Sequence, residues 1–214
     1  DISRTRNLTD NEVVLQQSLR EYTDSQFSDL IKKVESAKAI VRSQTFYEID
    51  KLEWAVRIFH ETTAAISLVY NPARISMPPV ETDLTYKPFI SSEILNAVQD
   101  TQVNVYRDVF DHILKPAIEA EKPDVIGISI VLRQQLFSSM TFCSMIKELY
   151  PDIHVTIGGN TVTRLRDVLP QTPNLFALFD SAVMFEGETA LCRLVDAVGT
   201  NRDFSTIPNL IYKD

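Results

Sequence analysis

The chain has 214 residues, 44% hydrophobic and 23% charged, with a formal net charge of −8, so it reads as an ordinary globular protein of one large or two small domains. Acidic and basic groups are mixed along its length, without the basic field that nucleic acid requires, and the near-unbroken apolar run Val125–Leu132 is too short to cross a bilayer. The start, Asp1-Ile2-Ser3-Arg4, lacks the apolar stretch of a secretory signal, and two cysteines, Cys143 and Cys192, make neither a disulfide framework nor a CxxC metal motif, so a cytoplasmic setting is the expectation.

The glycines divide the chain. There are five, and none precedes Gly127. A long stretch without glycine avoids tight strand-to-strand turns and reads as helical. From Asp10, Val13, Val14 and Leu19 suggest a short amphipathic helix. A second runs from about Asp24, with Phe27, Leu30, Ile31, Val34 and Ala37 at helical spacing. A third opens at Thr45, where Thr45 and Glu48 have capping-box spacing, and turns Ile49, Leu52, Ala55, Val56 and Phe59 inward. Its end, Ile66–Tyr70, reads equally well as a strand. Residues 71–92, with Pro72, Pro78, Pro79 and Pro88, read as an irregular connector. Helices resume at Ser92–Val98 and Val103–Glu121, the latter kinked or broken by Pro116.

After Pro123 strands alternate with helices. Val125–Ile130 is a strand with one serine for polar content, which suggests that both faces are covered. Ser138–Leu149 is a helix and Ile153–Ile157 a strand ending in Gly158-Gly159. Thr163–Leu169 reads as helical, Ser181–Phe185 as a strand ending in Glu186-Gly187-Glu188. Thr189–Val198 is a helix closed by Gly199, and Asn209–Tyr212 a last short strand. The alternation predicts an α/β, Rossmann-like (flavodoxin-like) parallel sheet with helices on both faces over 122–214, preceded by a mainly helical region over 1–121. Ligands of such sheets bind beyond the carboxyl ends of the strands, where Ser129, Gly158-Gly159 and Glu186-Gly187-Glu188 stand.

Most catalytic signatures are missing. There is no phosphate-cradling glycine loop and no G-x-S-x-G elbow. His60-Glu61 has Ala64 where a zincin would place its second histidine. Both cysteines fall on apolar helix faces and read as small core side chains. Glu186 and Glu188 are read evenly as turn structure or ligand contacts. Gly158-Gly159 is either a turn that needs positive φ or a lane of bare backbone against which a ligand lies.

Three segments occur in order: Lys122-Pro123-Asp124-Val125-Ile126-Gly127-Ile128-Ser129, Val155-Thr156-Ile157-Gly158-Gly159-Asn160 and Asp180-Ser181-Ala182-Val183-Met184-Phe185-Glu186-Gly187-Glu188. Together they resemble the cobalamin (B12)-binding domain that precedes the catalytic barrel in cobalamin-dependent radical SAM proteins. Ile207–Tyr212 resembles the segment leading into that barrel. The family's signature for cobalamin with a displaced benzimidazole tail is D-x-H-x-x-G, S-x-L and a double glycine. Here Ser129-Ile130-Val131 stands for S-x-L, with valine in place of leucine. By this resemblance Ser129 would bond the tail base and the glycines would line its groove. The cofactor-binding residues implied are Ser129, Val131, Gly158, Gly159, Asn160, Thr161, Glu186, Gly187 and Glu188.

The chain departs from the signature at its histidine. Asp111-His112 has neither the spacing nor the glycine, and His154 sits at the far end of its strand, so no protein ligand to cobalt is expected. The C-x-x-x-C-x-x-C of a [4Fe–4S] cluster is also absent, which leaves the cluster and SAM to a parent protein and makes the end at Asp214 look like an excision point. The reading is a cobalamin-binding module, its helical region a possible cap on the corrin, that positions the cofactor for a radical SAM catalytic domain absent from this chain. The parent reads as a methyltransferase or related radical enzyme, with no nucleic-acid or membrane partner. The alternative is a receiver-like signalling module with no cofactor.

Overall fold

A computed structural model describes Val13 and residues 24–77, 81–200 and 202–213. Apart from Val13, the helix expected from Asp10 lies outside the described residues. Two units divide between Thr85 and Tyr86.

In the first unit, α1 (Asp24–Val41) and α2 (Ile49–Val69) pack through Ala37, Ala55 and Ile58, all buried, with Val34, Ile40, Trp54 and Phe59 around them. Alanines at the contact let the helix backbones approach closely. The capping-box reading fails at Thr45. Ser43 instead accepts the Thr45 N–H and starts a 3-10 turn, Gln44–Tyr47, so α2 begins at Ile49. Ile49 is consequently exposed, and Ile58 turns inward. Ile31, expected inward on α1, is exposed as well. Ile66–Val69 is the last turn of α2 and Tyr70 its cap, so the strand alternative for this segment is overturned. The connector after it holds a small antiparallel hairpin, β1 (Arg74–Ser76) and β2 (Glu81–Asp83), tied to α2 where the Ser67 hydroxyl accepts the Ile75 N–H at 2.8 Å.

The second unit opens with α3 (Ser91–Gln99), then one rod made of α4 (Val105–Val109), a π turn (Phe110–Leu114) and α5 (Lys115–Glu121). Pro116 has no N–H to donate, and the chain meets that lack by widening the turn before it. Buried Asn104 caps the rod and donates to the Ala97 carbonyl (2.8 Å) and to Thr141 Oγ1 (2.9 Å), joining three helices. The sheet follows: β3 (Val125–Ser129), α6 (Leu136–Leu149), β4 (His154–Gly158), α7 (Asn160–Arg164), β5 (Ser181–Val183), α8 (Glu188–Val198) and β6 (Leu210–Tyr212). The order is β3-β4-β5-β6, with the first three strands parallel. The last strand is antiparallel, which corrects the all-parallel expectation. Among the described residues no helix is long and apolar enough to cross a membrane.

One face of the sheet meets α3 and α6, where Ile94, Leu136 and Met140 approach Ile130 and Ile157 around an apolar cavity of about 80 Å³. On the other face α8 packs Ala190 and Leu194 on Val183. Cys143 of α6 is buried, and burial pushes its thiol pKa up. Cys192 of α8 is exposed, contrary to expectation.

The larger correction concerns β3. It is an edge strand, and Gly127 and Ser129 are exposed. The apolar run is real, but its isoleucines face one way and its small residues face an uncovered side. His154 N–H donates to the Asp124 carbonyl and Ile130 N–H to the Gly158 carbonyl. In a parallel ladder this alternation turns the amides of Ile126 and Ile128 toward β4 and those of Gly127 and Ser129 away. Hydrogen exchange followed by NMR should therefore be slow at Ile126 and Ile128 and fast at Gly127 and Ser129. Slow exchange at all four would mean that another strand covers this edge.

At the amino end of β4, His154 is buried against Phe204, ring centroids 5.2 Å apart. Its Nε2 donates to Ser181 Oγ (2.9 Å), whose own hydrogen goes to Thr156 Oγ1 (2.9 Å). Burial holds the His154 pKa below the ordinary histidine value; Asp180 opposes that shift, while Lys147 and Arg202 reinforce it. A depressed folded-state pKa means that the unfolded chain binds the proton first. The melting temperature should be flat above the unfolded histidine value of about 6.5 and fall as pH drops below it. His154→Phe should flatten that fall in a pH series of melting curves.

Candidate functional site

Along the uncovered side of β3 and β4 the residues facing out are Gly127, Ser129, Thr156 and Gly158, in register as Gly127↔Thr156 and Ser129↔Gly158. Their small size leaves a groove of about 400 Å³ between the sheet and α8, walled by Val183, Phe185, Gly187, Glu188 and Leu191. α8 packs on Val183 of β5 with Leu210 of β6 beside it, and the small residues of β3 and β4 are left without a covering helix.

The floor is apolar although Thr156 is not. Its hydroxyl accepts from Ser181 Oγ and donates to the Ser181 carbonyl (3.3 Å), so it is committed toward β5. The Thr156 methyl group faces the groove and would lie 3.7 Å from a β-carbon placed on Gly127. Among the described residues, Glu188 is the one ionisable side chain lining the groove. The slot thus offers flat backbone and methyl surface.

The two glycines of the pair differ. A β-carbon at Gly158 would stand 3.4 Å from the Val183 carbonyl, in ordinary contact. Gly159 has φ +96, and a β-carbon there would come within 2.8 Å of the Ile130 carbonyl oxygen. Its need for glycine is met by the fold itself, before any ligand enters.

The groove gathers Ser129, Gly158, Gly159, Gly187 and Glu188 from the residues expected at the site. Val131, Asn160 and Thr161 line a separate depression of about 510 Å³ with Leu132, Arg133 and Arg164, where Thr161 Oγ1 donates to the Val131 carbonyl at 2.9 Å. Glu186 is exposed and lines neither. Sequence reasoning passed over Gly127, Thr156, Val183, Phe185 and Leu191. The alternation of Gly127 and Ser129 against Ile126 and Ile128 was the available signal for the first. His112 lies in the π turn with Nδ1 against the Asp108 carbonyl (2.8 Å), and His154 lies at the amino end of the sheet, away from the carboxyl edge.

These contacts separate two kinds of glycine. Gly159→Val should lose stability by at least about 1–3 kcal/mol, since it adds a backbone clash to a strained φ. Gly127→Val should melt close to the wild type, because its β-carbon meets only the Thr156 methyl group, at an ordinary 3.7 Å, and a strand accommodates valine. Thermal or urea unfolding of the two variants checks the contrast. Equal destabilisation would mean that the space over Gly127 is filled.

Residues 93–195 match the family model described as B12 binding domain. No curated protein and no solved structure matches the chain. The matched stretch runs from α3 into α8 and contains all three parallel strands and the groove beside them. By fold and by family model, residues 93–195 are similar to the Rossmann-like B12-binding domains.

Proposed function

We propose that the α/β unit holds cobalamin, with the nucleotide tail lying in the groove over Gly127, Thr156 and Gly158 and the corrin beyond the carboxyl edge of the sheet. The observation that carries this reading is the floor. Two glycines, a serine and a threonine methyl replace the large side chains that would otherwise meet a covering helix, and a β-carbon at Gly127 would enter the space a ring needs. Ser129, exposed at the end of β3, is placed to bond a polar atom of the tail. The edge of β3 keeps backbone donors beside it.

Bound cobalamin supplies the group-carrying chemistry of its cobalt; the protein supplies position and a shaped seat. No histidine of this unit lies at the carboxyl edge, so Ser129, Gly158 and the groove walls are the residues of this unit that would hold the tail. The finer reading is that the parent protein is a radical SAM enzyme, a methyltransferase or relative, and that its catalytic domain is the partner of this unit. The ordered motif set through Ile207–Tyr212 supports it.

The test is retention of colour. Protein mixed with hydroxocobalamin and desalted should keep a red chromophore, and Gly127→Val, still folded, should lose it. Ser129→Ala removes one hydrogen bond and should weaken binding by about two- to twelve-fold, equivalent to ~0.5–1.5 kcal/mol. A colourless wild-type eluate would favour a receiver-like module without cofactor. Full retention by folded Gly127→Val would place the tail elsewhere.

A further inference from the structure

Phe185 is placed against its own interest in stability. It follows β5 with φ +58, in the left-handed region where a bulky aromatic is an outlier. The residue is 54% exposed, at the mouth of the groove. Glycine would take this turn without strain, yet the nearby Gly187 stands at φ −93, where any residue could serve. The strained residue is therefore the aromatic one. Two contacts hold it: the Phe185 N–H donates to Thr163 Oγ1 (2.9 Å), and the Arg166 guanidinium, which does not line the groove, stands 5.9 Å from the ring centroid. Strain of this kind persists where the surroundings enforce it, and such positions cluster at ligand sites.

We propose that Phe185 is a ligand-positioning residue whose ring forms the aromatic wall of the groove and stacks on a flat heteroaromatic group lying over Gly127 and the Thr156 methyl. The floor offers backbone and methyl surface, and the described lining holds Ser129 and Glu188 but no cation, so the group recognised is flat and not anionic. An aromatic wall selects a flat π system through offset or edge contacts. The inference rests on the cobalamin reading in one respect: there the group is the benzimidazole base of the tail, and the corrin is not what Phe185 touches.

The experiment separates strain from contact. Phe185→Gly should melt at or above the wild-type temperature, because the left-handed turn no longer carries a side chain. It should nevertheless bind cobalamin roughly ten-fold more weakly, measured by absorbance titration. Phe185→Asn, which also tolerates this conformation, should give the same pair of results. Cobinamide, which lacks the nucleotide tail, should bind wild type and variants alike. Unchanged cobalamin affinity in folded Phe185→Gly, or an equal loss for cobinamide, would overturn the assignment. If the wild type retains no corrinoid, the functional reading falls, and 5,6-dimethylbenzimidazole alone decides the role of Phe185. Shifts of the Thr156 methyl and Phe185 ring NMR signals, reduced at Thr156 in Phe185→Gly, would uphold it. Absence of shifts in the wild type would overturn it.

Discussion

The carboxyl edge of the sheet depends on how tightly the turn after β4 is pressed against the chain leaving β3. Ile130 donates its N–H to the Gly158 carbonyl at 2.8 Å and accepts the Thr161 N–H on its own carbonyl at 3.0 Å. One residue is thereby bonded to both ends of a turn, and a β-carbon at position 159 would strike its carbonyl. The Thr161 hydroxyl adds a third tie, to Val131. Buried backbone groups must be paired, and here the pairing fixes the ends of β3 and β4 side by side. The groove starts from that junction, and its floor inherits the register.

The opposite edge is fixed by charge. Asp180 accepts both the Val155 N–H (2.7 Å) and Lys147 Nζ (2.9 Å), and the same ammonium donates to the Pro151 and Ile153 carbonyls. An ion pair only partly exposed, with several hydrogen bonds, is worth more than the usual surface pair. It clamps the end of α6 to the start of β4 and the entry to β5. With both ends of β4 held, the strand can carry small residues on one face without losing its place. A sheet whose middle face is glycine, serine and threonine needs such anchoring, because it gains little apolar burial there.

Much of this order was legible in the sequence. The change from helical to alternating rhythm after Pro123 and the strand ends at Ser129 and Gly158 follow from local chemistry that tertiary packing left intact, whereas β5 stops at Val183, short of Phe185, and Pro116 widens the rod without breaking it. What failed did so for physical reasons. Thr45 and Glu48 have the spacing of a capping box, but Ser43 competes for the same backbone and wins. Ile66–Tyr70 suits a strand by composition, and the rod of α2 extends through it because nothing between Ile49 and Val69 breaks a helix. Val125–Ile130 reads as doubly covered when its residues are counted together. Read at period two, the isoleucines and the small residues separate, and the empty face is visible. Gly158 and Gly159 look alike in sequence, yet one contacts a carbonyl at ordinary distance and the other cannot hold any side chain. No propensity foretells Phe185, since its conformation is imposed by Thr163 and Arg166, both far from it in sequence.

These elements imply a division of labour within a short stretch of chain. Residues that make the fold are hydrogen-bonded into it: Ile130, Thr161, Asp180, and the chain of His154, Ser181 and Thr156, of which only Thr156 also reaches the groove, through its methyl group. Residues that face the groove are under-used by the fold: Gly127 and Ser129 are exposed, and Phe185 is both exposed and strained. Natural sequences drift toward local consistency wherever stability alone is selected. An edge strand left open on its small-residue side, facing an aromatic ring held in a conformation that favours glycine, departs from that consistency twice within one groove. The proposed flat ligand would cover the bare floor and give the exposed ring a partner, although the left-handed turn at Phe185 would remain.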